Sequence, residues 1–440
     1  MTDSRVTDGR VTGRLEAGQA AVETALAEGH RREWARVLSA TLRVARDLDL
    51  AEECVQEAYA AALRAWALSG IPDNPAAWLT AIAKRRAIDA LRHEQALRTR
   101  LPLLVEPDAR GETADAEKLA EPGGDPADVV PDERLRLIFI CCHPALAQEA
   151  QVALTLRLVC GVTTADIARA FLVSETTMAA RITRAKKKIA IARIPYRVPL
   201  PGELPGRLRA VLAVIHLLFT TGHTAPSGPA LVRHDLVDRA LHLARMLSEL
   251  MPAEAEVAGL YALLLVTDAR RSTRIDSAGR LLQLKDQDRS QWDRAALAQA
   301  HDIIVACLRA GPPGRYALQA AIASLYAEAP SEGETDWAQI VALYDKLLDV
   351  WPSPVVALNR AVPLAKVAGP DAALAQVEQL ERDGRLSDYQ YLHAVKADLL
   401  SQAGRAGEAA DSYRRAFDLA ANEAERAFLD RQIGRHTAGQ

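Results

Sequence analysis

The segment GVTTADIARAFLVSETTMAARITRAKKKI, residues 161–189, decides the reading of this chain. It contains two helical patterns joined by three residues. Thr163, with Asp166 three positions on, is a capping-box start whose side-chain oxygens satisfy amides at a helix N-terminus. Ile167, Ala168 and Phe171 form the apolar edge of that first helix. Ser174 is a natural N-cap for the second, in which Met178, Ile182, Ala185 and Ile189 recur at i, i+4, i+7 and i+11. At about 100° per residue these four fall within roughly 60° of arc and predict the buried face. Thr176, Ala180, Thr183 and Lys187 point the other way, flanked by Thr177, Arg181, Arg184 and Lys188. A helix-turn-helix with this outer face suits a DNA major groove, where small polar groups approach base edges and cations meet phosphates. The bland alternative is a solvated basic helix.

Charge supports the first reading. The net charge of −3 hides an uneven distribution. Residues 151–200 carry nine Lys/Arg against Asp166 and Glu175, and residues 31–100 carry 12 Lys/Arg against nine Asp/Glu. Between them, residues 102–131 have eight acids against Arg110 and Lys118, together with Pro102, Pro107, Pro122, Pro126 and Pro131. Two basic blocks on an acidic Pro/Gly tether are the pattern of two polyanion-binding heads. About 30 such residues reach up to ~100 Å when extended.

The upstream block is helical. Val55, Tyr59, Leu63 and Trp66 recur at helical spacing, Ile71-Pro-Asp-Asn-Pro75 breaks the pattern, and Leu79, Ala83, Ala87 and Leu91 form the stripe of the next helix. Asp49, Glu53 and Gln56 share one polar face. Lys84, Arg85, Arg86 and Arg92 line the later helix, with Asp89 placed to pair with Arg85 or Arg92. Asn74 and Trp78 could meet unstacked bases, although a tryptophan there also suits a core.

Downstream, prolines 195, 199, 201 and 205 mark a boundary, and helical, Ala/Leu/Arg-rich sequence follows. Ile340/Tyr344, Ala373/Val377 and Ala409/Tyr413 repeat comparable helix positions 33 and 36 residues apart. That period is near the 34 residues of a tetratricopeptide (TPR) array.

A chain of 440 residues is too long for one core. With 49% hydrophobic and 25% charged residues it reads as a globular protein rather than a disordered or disulfide-stapled one. Five cysteines without a CxxC pair, no secretory h-region and no apolar run near 20 residues predict a cytoplasmic protein with no membrane partner. Cys141, Cys142, His143 and Cys160 lie in apolar surroundings and read as buried thiols rather than a metal site. His216, His223, His234 and His242 show no HExxH spacing, and no phosphate loop, nucleophile elbow or dinucleotide fingerprint occurs. Neither enzymatic activity nor a metal or cofactor is expected.

Taken together, DLDLAEECVQEAYAAALRAW (47–66), NPAAWLTAIAKRRAIDALRH (74–93) and residues 154–189 resemble the extracytoplasmic-function (group IV) sigma factors of bacterial RNA polymerase, of the sigma-70 family. GLYALLLVTDARR (259–271), KDQDRSQWDRA (285–295) and TDWAQIVALYDKLL (335–348) resemble the subgroup with a TPR-like C-terminal extension. The resemblance implies an all-α protein: a flexible tail (1–21), a sigma-2 bundle (22–100), a linker (101–131), a sigma-4 helix-turn-helix domain (132–195), a helical extension (206–310) and TPR-like repeats (311–440). It implies that Asp49, Glu52, Glu53, Gln56 and Glu57 dock on core RNA polymerase. Asn74, Trp78, Lys84, Arg85, Arg86, Asp89 and Arg92 would melt and read the minus-ten element of promoter DNA. Ser174, Glu175, Thr176, Thr177, Ala180, Arg181, Arg184, Lys187 and Lys188 would read the minus-thirty-five element. A protein or peptide is the partner implied for the extension. Two other classes stay open on the residues alone: a helix-turn-helix regulator with a TPR sensor, and a TPR scaffold.

Overall fold

The computed structural model describes residues 6–100 and 133–437, apart from 172, 193, 195, 226–230 and 277–279. The acidic linker expected at 101–131 lies outside them, as does the turn residue Leu172. The chain divides into two compact units, residues 1–214 and 215–440.

In the first unit, α1 spans Val6–Ala45. The tail expected at 1–21 is therefore helical from Val6 onward. Arg10, Arg14, Leu15, Glu16, Ala17, Gln19, Ala20 and Ala21 are good helix formers, and they outweigh Gly9, Gly13 and Gly18. Helix α2, Leu48–Ser69, starts where Asp47 accepts a hydrogen bond from the Leu50 amide at 2.8 Å. It ends at Gly70, whose φ of 80° favours glycine. Helix α3, Pro75–Arg100, begins with proline in its first turn, where no amide partner is lost, and Asn74 Oδ1 accepts from the Ala77 amide at 3.0 Å.

These three helices pack against one another. The buried stripe of α2 is Ala51, Val55, Ala58, Ala62 and Trp66, all 2% exposed or less, while Leu63, expected in it, is largely exposed. The stripe runs through small residues that let helices approach closely, and Leu63 falls at its edge. Leu79, Ala83 and Ala87 of α3 are fully buried, as read from their spacing. Each large apolar side chain buried here contributes on the order of 1.5–3 kcal/mol.

The second half of this unit follows as α4 (Glu133–Cys141), α5 (Gln148–Leu154), a π-helical turn (Thr155–Val159), α6 (Thr164–Ala170) and α7 (Glu175–Ile191). The π turn is closed by the Cys160 amide on the Thr155 carbonyl at 3.1 Å. Its Leu158 carbonyl accepts a buried hydrogen bond from Trp34 Nε1 of α1 at 3.1 Å. Helix α4 and the π turn both pack on α1, so the two basic blocks of the sequence belong to one packed body.

Helix α8, Leu204–His223, carries the division between the units. Among the described residues it is the one helix long and apolar enough to cross a membrane by length and composition, where the sequence reading expected none. Arg207 and Arg209 lie in its early turns, and Val211, Leu212, Val214, Ile215, Leu218 and Phe219 are all buried, as in a core helix.

The second unit is a series of helical hairpins: α9 (His234–Leu250), α10 (Ala255–Asp268), α11 (Arg294–Ala310), α12 (Arg315–Glu328), α13 (Trp337–Val350), α14 (Pro354–Ala368), α15 (Pro370–Asp383), α16 (Gln390–Gln402), α17 (Ala406–Leu419) and α18 (Glu423–Thr437). From α12 onward each helix packs on the next, in TPR-like fashion. The repeat positions Ile340, Ala373 and Ala409 are fully buried on α13, α15 and α17, the first helices of three successive pairs. Gly259 fixes one crossing: a Cβ on it would sit 2.7 Å from the Ala317 amide nitrogen of α12.

Candidate functional site

The helix-turn-helix is held by the hydrogen bonds its sequence calls for. Thr163 Oγ1 accepts from the Asp166 amide at 3.1 Å and donates to Asp166 Oδ2 at 2.6 Å. Ser174 Oγ accepts from the Thr177 amide at 3.2 Å and lies 2.8–2.9 Å from the Thr176 and Thr177 hydroxyls. Met178, Ile182, Ala185 and Ile189 of α7 are buried. Ser174, Glu175, Thr176, Thr177, Ala180, Arg184, Lys187 and Lys188 are exposed in one continuous outer face. Arg181 is half-buried and pairs with Glu149 of α5 at 3.0 Å, which aims its guanidinium along that face.

On α2, Asp49, Glu53, Gln56 and Glu57 are exposed, whereas Glu52 is only 6% exposed and turns inward. A buried carboxylate is costly unless cations and donors surround it. Glu52 has both. Arg157 of the π turn pairs with its Oε1, Lys186 Nζ of α7 lies 2.8 Å from Oε2, and Gln56 Nε2 donates at 3.2 Å. Lys186 also reaches Asp49 Oδ1 at 2.6 Å. Burial disfavours the Lys186 ammonium, yet its hydrogen bonds to Asp49 and Glu52 hold its pKa above the ordinary lysine value.

Neither Arg157 nor Lys186 was among the expected site residues. The available signal was the helical wheel, which places Lys186 beside Ala185 and Ile189, near the buried face rather than the outer one. An inward lysine requires a buried acid, but which acid, more than 130 positions away, could not be read from periodicity. One further bond and one close approach seal the contact: Tyr196 Oη donates to the Ser39 carbonyl at 3.0 Å, and Gly161, at φ 65°, lies against His30 and Trp34.

On α3, Arg85, Asp89 and Arg92 are exposed, and Lys84 is half-buried. Arg86 is tied to Glu57 of α2, joining two sets of residues expected to serve different partners. The expected pairing of Asp89 with Arg85 or Arg92 is absent among the described residues. Trp78 stacks edge-to-face on Trp66 at 5.5 Å between centroids, half-buried, with part of its ring open to solvent. Asn74 Oδ1 is engaged as the helix cap, which leaves its amide group facing out.

Cys54, Cys141, Cys142, Cys160 and Cys307 are all buried and in no disulfide, and burial pushes the Cys142 thiol up to about 12. No group of three or more His, Cys, Asp or Glu side chains with metal-holding geometry occurs among the described residues.

An exposed basic helix after a helix-turn-helix turn and a second helical body with an acidic and a basic face are the surfaces of a DNA-binding protein. Comparison with known proteins supports the same class. Sigma-70 region 2 matches residues 30–97, and Sigma-70, region 4 matches residues 136–189. A family of unknown function (DUF6596) matches residues 207–308. The chain is 45% identical over 401 residues to the uncharacterized protein R00370 of Rhizobium meliloti (strain 1021), covering 90% of this chain and 92% of that protein. Among solved structures, yeast Tom70 aligns over 98% of this chain and 87% of its own at 12% identity, with a TM-score of 0.34. The chain belongs to the sigma-70 family of sigma factors, in one family with the Rhizobium protein.

Proposed function

We propose that this chain is a sigma factor of the extracytoplasmic-function type, acting in the cytoplasm, whose C-terminal unit regulates initiation. The observation that carries this reading is the pairing of region 2 at residues 30–97 with region 4 at residues 136–189 in one chain, followed by a long helical extension. In this reading, Asp49, Glu52, Glu53, Gln56 and Glu57 dock on core polymerase. Trp78, Arg85, Arg86 and Arg92 hold the unpaired minus-ten strand, and Ser174 to Lys188 read the minus-thirty-five element. The polymerase supplies the chemistry. Strand separation needs only that α3 bind unpaired bases more tightly than paired ones, since the equilibrium then shifts by that difference.

The closed packing of region 4 on region 2 adds a condition. Asp49 and Glu52 are neutralised by Lys186 and Arg157, so docking through these acids requires region 4 to leave. Core polymerase and closure compete for the same carboxylates. Any influence of the extension on that competition is regulation in cis.

Run-off transcription by purified protein and core polymerase on genomic fragments tests the reading. Defined start sites lost on Glu53→Lys/Glu57→Lys, with folding retained, support it. Duplex DNA binding that is independent of polymerase and untouched by those changes would identify an ordinary helix-turn-helix regulator instead. Deleting residues 215–440 tests the regulatory role: output from the same promoter should change.

A further inference from the structure

Two of the strings quoted from the sequence, 259–271 and 335–348, both contribute to the lining of a cavity of about 500 Å³ in the second unit. Small-molecule sites commonly fall at roughly 300–1,000 Å³ and combine apolar walls with a few converging polar groups. Here Leu263, Ile322, Leu347 and Val356 form walls, and Trp351 closes one side.

The polar lining combines one cation and two phenols with the neutral side chains of His216, Thr267, Gln319 and Asn359. Arg270, just past the end of α10, lines the cavity, and its Nε is buried without a hydrogen-bond partner. Among the described residues, no carboxylate or carbonyl meets this guanidinium. Its one close companion is the Trp292 ring, 5.8 Å away. Tyr326 of α12 and Tyr344 of α13 line the same cavity, near enough that Arg270 and Tyr326 feel each other's charge, as do Tyr326 and Tyr344. Neither phenol has a hydrogen-bond acceptor among the described residues. No aspartate or glutamate lines the cavity. Burial and the neighbouring Arg289 charge push Arg270 down to about 10, as expected of a desolvated cation lacking a counter-charge.

Arg271 pairs with Asp268 and Asp238, and Arg289 donates to the Tyr326 and Ala329 carbonyls. Arg315 also has a buried Nε without a hydrogen-bond partner, but its guanidinium lies over the Trp351 and Tyr316 rings and does not line this cavity. A buried guanidinium and two phenols converging on an acid-free cavity lack one thing, an anionic acceptor. One cation balances one negative charge, which fits a planar monoanion better than a phosphate dianion. The apolar and aromatic walls require the rest of the ligand to be hydrophobic.

We propose that this cavity binds a small hydrophobic monocarboxylate, its carboxylate held by Arg270, Tyr326 and Tyr344 and its body packed against Leu263, Ile322 and Trp351. The site stands independently of how the second unit influences transcription.

Titration calorimetry and tryptophan fluorescence on the full chain test this, with 4-phenylbutyrate and octanoate as probes and 4-phenylbutyramide, 4-phenylbutylphosphonate and inorganic phosphate as controls. At least one carboxylate should bind saturably at a single site, with the amide at least about 10-fold weaker and inorganic phosphate silent. Arg270→Gln should lose that preference, Arg270→Lys should retain part of it, and Tyr326→Phe with Tyr344→Phe should weaken binding several-fold. Ala323→Phe, which leaves the donors in place and fills the cavity, should abolish binding even if Arg270→Gln folds poorly. The proposal is overturned if neither carboxylate binds, if the amide binds equally well, if the phosphonate binds more tightly than the carboxylates, or if Ala323→Phe leaves binding intact.

Discussion

Single residues set the joint between the two DNA-binding regions. Gly161 combines a φ of 65° with a crowded site, for a Cβ there would lie 2.7 Å from His30 Cε1. A side chain at this position meets backbone strain and a clash together. Gly161→Ala should destabilise the first unit by about 1–3 kcal/mol, read as an earlier urea midpoint with an unchanged slope. An unshifted midpoint would show that the turn relaxes freely. The cysteines give a second residue-scale expectation. Burial holds Cys141 far above and Cys142 at about 12, so neither thiolate forms near neutrality. A thiol reagent should find no rapidly reacting cysteine in the native chain and five after denaturation. Rapid labelling of the native protein would contradict a sealed cluster.

Among elements, α7 faces two ways, and this separates what was legible in the sequence from what was not. Its cap at Ser174, its buried stripe and its exposed outer face all follow from local periodicity and capping chemistry, which a linear reading captures. Lys186 does not. Its partners are fixed by packing between distant segments, as are the inward turn of Glu52 and the link between Arg86 and Glu57. The repeat of the second unit was visible as buried positions 33 and 36 residues apart. The cavity around Arg270 was not, because it needs five helices to converge. The double allegiance of α7 has a measurable consequence. Lys186→Ala removes one of two cations from Glu52 and the cation that pairs with Asp49, loosening region 4 while Glu53 and Glu57 remain for polymerase. Core polymerase should bind this variant several-fold more tightly, in the absence of DNA. Affinity that is unchanged or weaker would sink the competition between closure and docking. Conversely, Glu52→Ala takes the buried carboxylate from Arg157, which keeps the Val162 carbonyl, and from Lys186, which keeps the exposed Asp49, and should destabilise the first unit by about 3 kcal/mol.

At the scale of the whole molecule, acid sensitivity is concentrated in the second unit. His216 is pushed down to about 4 by burial and the Arg315 charge, and His223 to about 3 by burial with Arg274, Arg270 and Arg271 around it. Both are neutral in the folded chain at pH 6, where an unfolded histidine, with a pKa near 6.5, already takes up protons. Between about pH 6.5 and 4 the unfolded state therefore binds more protons than the folded one, and stability falls as pH falls. The full contribution is present above pH ~6.5 and lost on descent through that window. Glu256 and Asp268 act oppositely: burial raises their pKa values, so the folded chain takes up their protons first. Thermal melts of the full chain should thus drop in Tm from pH 7 to pH 5. His216→Asn, which cannot titrate, should flatten that slope by on the order of 1–2 kcal/mol while lowering stability at pH 7 through lost packing. Parallel slopes for the two proteins would mean that His216 takes up its proton in the fold as readily as in the unfolded chain, leaving the acid loss to His223.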